Sequence, residues 1–122
     1  MRFGRDIVTP SYTRVPTYNS LNGEDRSYAF DCLECSGRIT MSFADVDQFK
    51  PRDSFDKAKE EQIAEHFKLN IVGKSPDGGW PEFKVSPCQN CSKRYMIYVG
   101  VNEVANGAYV ITMQGVSEVI DE

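Results

Sequence analysis

The sequence predicts an α+β fold: a small antiparallel β-sheet of hairpins, with one packed α-helix (about residues 54–69) inserted between two Cys-x-x-Cys turns. Three observations predict it. The chain carries Cys32-Leu33-Glu34-Cys35 and, much later, Cys88-Gln89-Asn90-Cys91. Apolar residues alternate around both turns and through RYMIYVGVN and AYVITMQGV, the period-two mark of strands with one buried face. Between the turns, Phe55, Ala58, Gln62, Ile63, His66 and Phe67 share one side of a helical wheel, with Leu69 at its edge.

Each element has a local reason. Residues 1–27 are polar and broken by Pro10, Pro16, Asn22 and Gly23, so they read as a loosely packed N-terminal arm with a short strand near Phe3–Val8. Residues 28–122 read as a single domain. Tyr28 and Phe30 alternate into the first turn, and Ile39, Met41 and Phe43 alternate out of it, which gives a first hairpin. Pro51 closes a polar link, after which Asp53 or Ser54 caps the helix and Asp56 suits its positive end. His66, the chain's one histidine, falls on the apolar face and reads as a half-buried, hydrogen-bonded core residue. Pro76-Asp77-Gly78-Gly79 is a turn by composition. Trp80 follows it, the one tryptophan, either folded back on the core or facing solvent as a partner-binding anchor. For the last two strands, a tight Asn106-Gly107 turn would set Val101 opposite Thr112 and mix polar with apolar side chains. A longer loop through Glu103–Gly107 pairs Val101 with Tyr109, Val99 with Ile111 and Ile97 with Met113. Because register follows the buried face, that pairing is the expected one.

Size and charge bound the function. A chain of 122 residues with 40% hydrophobic content buries an adequate but not generous core, so a metal cross-link would matter. The net charge of −4 repels phosphate backbones and disfavours nucleic acid as a partner, although Arg38, Lys93 and Arg94 give a local basic patch. The N-terminus shows no apolar signal core, and no stretch reaches the ~20 apolar residues of a membrane span. The expectation is a cytoplasmic protein without a membrane partner, its thiols reduced and free for metal.

Two Cys-x-x-Cys pairs bring four soft ligands to one point, which suits tetrahedral Zn²⁺ at Cys32, Cys35, Cys88 and Cys91 better than disulfides or iron. A closed four-sulfur site has no open position for activating water, and no Gly-rich phosphate loop or hydrolase motif is present, so no catalytic residue and no enzyme is expected. The segments DCLECSG and PCQNCSKRYMIYV resemble the two knuckles of a zinc ribbon, or of the related rubredoxin-like arrangement, in which each pair lies in a hairpin turn and both turns clamp one metal. The resemblance covers the two knuckles, with the helix as a long insertion between them. Rubredoxin-type iron sites favour glycine after each pair, where this chain has Ser36 and Ser92.

Function is then read as a protein–protein interaction or regulatory module with a purely structural zinc, its size and acidity similar to those of immunity or antitoxin proteins. Trp80 is the candidate contact. The alternatives are a nucleic-acid-binding zinc ribbon, using Arg38, Lys93 and Arg94 with Tyr95 and Tyr98 on an exposed sheet, and thiol redox or rubredoxin-like electron transfer.

Overall fold

The computed structural model describes residues 1–7, 18–19, 23–25, 28–41, 48–69, 79–105 and 107–121. In chain order the strands are β1 (Arg2–Asp6), β2 (Tyr18–Asn19), β3 (Glu24–Asp25), β4 (Tyr28–Asp31), β5 (Arg38–Met41), β6 (Lys50–Pro51), β7 (Trp80–Pro87), β8 (Arg94–Ala105) and β9 (Ala108–Asp121), with helix α1 (Lys57–Phe67) between β6 and β7. Seven strands form one sheet in the order β3-β2-β9-β8-β7-β6, with β1 also on β9, while β4 and β5 form a separate hairpin. All pairings are antiparallel.

This corrects the expected α+β fold. Among the described residues the molecule is a mostly antiparallel β structure with one short helix, not a small sheet of hairpins beside one. A short strand was expected near Phe3–Val8, and β1 lies there, whereas the two-residue strands β2, β3 and β6 were not foreseen. Strand β1 is held by backbone pairing to β9 and buries none of its residues fully, so it shows no apolar alternation. Strand β7 contains Pro81 and Pro87, which cannot donate to a ladder and so disguise a strand. The helix is also shorter than 54–69. Residues Arg52–Ser54 make a 3₁₀ turn, and Asp56 is the N-cap, accepting from the Lys59 amide at 2.8 Å. Lys68 ends the helix with φ 57°, and the Leu69 amide returns to the Ala64 carbonyl at 2.9 Å.

Alternation along β8 and β9 gives the large sheet two apolar faces. Tyr95, Ile97, Val99, Ile111, Met113 and Val116 pack with Tyr28, Phe30 and Ile39 of the β4–β5 hairpin and with Cys32 and Cys88. On the opposite face Met96, Tyr98, Phe83 and Val119 receive Ile63 of α1, with Phe3, Phe55 and Phe67 around them. Gly115 stands opposite Tyr98, and a Cβ there would press on the Phe67 ring at 3.2 Å. Its absence lets Phe67 lie 5.2 Å from the Tyr98 ring.

The face of the long hairpin is the expected one, but its register is not. Ala105 pairs with Ala108, which leaves the tight connection 106–107, with Gly107 at φ 78°. Register shifts between Glu103 and Ala105, and again between Tyr98 and Val99, then set Val101 opposite Ile111, Val99 opposite Met113 and Ile97 opposite Val116. β-Bulges thus reconcile a short turn with a continuous apolar face, a solution that strict alternation does not contain. The second shift also reverses the parity of β9, which brings Glu118 to the knuckle face beside Tyr95.

The expected first hairpin forms, with Tyr28 opposite Met41 and Phe30 opposite Ile39. Phe43, Ile71–Val72 and most of the 76–79 turn lie outside the described residues. His66 is half-buried, hydrogen-bonded to Asp6 at 2.9 Å and stacked on Phe3.

Candidate metal centre

The two Cys-x-x-Cys turns are built alike. In the first, the Cys32 amide reaches the Gly37 carbonyl at 2.8 Å and the Ser36 amide reaches the Cys32 carbonyl at 3.0 Å. In the second, the Cys88 amide reaches Lys93 at 2.7 Å and the Ser92 amide reaches Cys88 at 3.1 Å. Ser36 and Ser92 take φ values of 63° and 64°, the left-handed conformation in which L-residues are strained. The serines themselves make the turn that glycine would make more easily. These bonds aim amides at sulfur, as the 3.4 Å contact from the Gly37 amide to Cys35 Sγ shows.

The β4–β5 hairpin and the β7–β8 hairpin then bring the turns face to face. All four sulfurs lie within 4.8 Å of one another, with Cys32 Sγ 3.5 Å from Cys91 Sγ and Cys35 Sγ 3.6 Å from Cys88 Sγ. None is in a disulfide. Around a tetrahedral ion with bonds of about 2.3 Å, sulfurs stand ~3.8 Å apart, so the arrangement is of the size a metal ion requires. Cys32 and Cys88 are buried, Cys35 and Cys91 exposed.

Without a cation, Cys32, Cys35 and Cys91 are driven apart in their tendency to ionise. Burial pushes Cys32 up, but the Tyr95 hydroxyl and the Cys35 and Glu34 amides outweigh it and bring the thiol down to about 6. At Cys91 the Lys93 amide favours the thiolate, yet desolvation and the three neighbouring sulfurs push it up to about 12. Cys35 is also raised, its Gly37 amide bond outweighed by desolvation and by Cys88 and Cys32. One thiolate forms easily and then opposes the others, which is the condition a bound divalent cation relieves.

Three residues complete the surroundings, and sequence reasoning missed their roles. Tyr95 is fully buried; its hydroxyl donates to Cys32 Sγ at 3.1 Å and accepts from the Leu33 amide at 2.9 Å. Glu118, also buried, accepts from the Arg5 amide and Nε, each at 2.8 Å, and pairs with Lys93 Nζ at 3.1 Å. Arg5 in turn lies 3.6 Å from Glu34, inside the first knuckle. The Arg5 contacts hold the Glu118 carboxyl at about 2, against the burial that would raise it. Tyr95 sat in the alternating pattern of β8 and looked like one more sheet residue. A glutamate in the middle of VSEVI was the available signal for Glu118, but only the bulge reveals which way it faces.

The basic patch is committed elsewhere. Lys93 is bound to Glu118, and Arg38 pairs with Asp31 at 3.5 Å. Tyr95 and Tyr98 are buried, which corrects the expectation that they stand on an exposed sheet. Trp80, by contrast, is 61% exposed at the start of β7, far along that strand from the sulfurs. No helix among the described residues is long and apolar enough to cross a membrane. No family model, curated protein or solved structure matches the chain.

Proposed function

We propose that the protein is a small binding module whose two zinc-ribbon-like knuckles hold one structural Zn²⁺ through Cys32, Cys35, Cys88 and Cys91, in a reducing compartment such as the cytoplasm. The observation that carries this reading is the closure of four sulfurs from two distant turns to within 4.8 Å. Zinc fits an all-thiolate donor set and has no redox chemistry of its own. Four protein ligands fill a tetrahedral shell, which leaves no position for substrate or water and supports a non-enzymatic role. The acidic surface and exposed Trp80 support a protein partner over nucleic acid.

Replacing the metal with Co²⁺ tests the closed shell. Added imidazole or cyanide leaves the visible spectrum unchanged if all positions belong to cysteine; a new spectrum on titration means an open position and overturns the structural reading. The partner side is tested by capture from the source cells, with Trp80→Ala as the comparison. A partner retained equally by both proteins removes Trp80 from the interface.

A further inference from the structure

Along β7 and β8, away from the sulfurs, lies a groove of about 640 Å³, within the size range of ligand sites. Pro81 and Val101 help line it, and Trp80 and Tyr109 belong to its walls. The register places these aromatics on one face, since Trp80 is opposite Val101 and Tyr109 is opposite Glu103. Trp80 is 61% and Tyr109 39% exposed, so both rings are partly open to solvent beside an apolar lining.

The remaining wall is acidic. Among the described residues, Asp53, Glu60, Glu82 and Glu103 line the groove against a single cation, Arg52, and that guanidinium is already bonded to Glu60. Among the described residues Asp53, Glu82 and Glu103 make no ion pair. The Tyr109 hydroxyl bonds Glu103, which fixes that carboxylate beside the ring. Glu82 is half-buried, and burial raises its carboxyl, the response of an acid lacking a counter-charge. Exposed aromatic faces next to uncompensated carboxylates complement one kind of group, a cation with an apolar stem.

We propose that this groove docks a basic segment of a protein partner, an arginine or lysine side chain lying over Trp80 and Tyr109 with Glu82 and Glu103 as its counter-charges. The inference rests on the binding-module reading and names the chemistry of the partner. A peptide fits better than a small cation because three carboxylates without an ion pair among the described residues, Asp53, Glu82 and Glu103, line the groove, more charges than one cation can answer. Nucleic acid is repelled by the same groups.

Trp80 is the chain's one tryptophan, so its fluorescence reports the groove directly. The probe is a hexapeptide alternating arginine and glycine, compared with its citrulline counterpart and with free arginine amide. The arginine peptide produces a saturable shift, and the citrulline peptide and the free amide bind at least about tenfold more weakly. The double change Glu82→Gln and Glu103→Gln weakens the peptide by about tenfold or more, and calorimetry with Trp80→Ala shows a comparable loss. Zinc content and circular dichroism of each variant show that the fold is kept. Equal binding of the citrulline peptide, undiminished binding by a folded double variant, or an equally tight free amide overturns the proposal. Zinc-loaded protein that ignores the peptide removes the groove and leaves the metal centre standing. Protein that binds the peptide but holds no zinc supports the groove and removes the structural-metal reading.

Discussion

Two side chains outside the cysteine set carry much of the order of the candidate metal centre. The Tyr95 hydroxyl is buried between Cys32 Sγ and the Leu33 amide, so Tyr95→Phe deletes a donor to sulfur and strands an amide. The expected cost is about 1–3 kcal/mol in denaturant unfolding, with metal affinity about 10–100-fold weaker in chelator competition. Unchanged values for both would make the hydroxyl a bystander. Glu118 gives a pH-resolved test. Its folded value near 2 lies below the ordinary 4.5, so its contribution is fully present above about pH 4.5 and is lost as pH falls toward 2. Glu118→Gln is expected to lower stability by roughly 1–3 kcal/mol near neutrality, a range discounted for the exposed Arg5 partner. The difference between the two proteins should shrink between pH 4.5 and 2, measured by unfolding at each pH. A constant difference contradicts the assigned ion pairs. The cysteines were legible in the sequence because their spacing is itself the signal, whereas Tyr95 and Glu118 act through neighbours that only the folded chain supplies.

At the scale of elements, the knuckles store a small strain at Ser36 and Ser92, both left-handed. Replacing both serines with glycine relieves that conformation and should stabilise the zinc-loaded protein by about 1 kcal/mol, net of glycine's greater freedom in the unfolded chain. Thermal melting checks this, and a destabilised double variant would mean the serine side chains make contributions beyond the backbone. The same elements show where pattern reading succeeds. Strand β8 announces itself as an apolar run buried on both faces, and the β4–β5 hairpin by its alternate buried residues. The pairing of β9 does not, since a bulge changes parity without changing composition, and the two-residue strands β2, β3 and β6 are too short to carry a pattern. The helix was visible as a face but not as a length, because the 3₁₀ turn at Arg52–Ser54 and the Asp56 cap share the polar residues from which a start was read.

For the whole molecule, the large sheet is covered on one face by the knuckle hairpin and on the other by α1. Cys32 and Cys88 belong to the same buried cluster as Ile97, Val99 and Met113, so the cysteine cluster is an extension of the core. A structural zinc contributes ~10–16 kcal/mol of apparent binding energy, as much as the ~5–15 kcal/mol stability of a typical domain. Native mass spectrometry of protein purified without added metal, followed by chelation and a melting scan by circular dichroism, tests this most directly. The account predicts one zinc per chain and, once it is stripped, loss of the cooperative transition or a steep fall in its midpoint. Protein that carries no metal, or that melts unchanged after verified stripping, would contradict it.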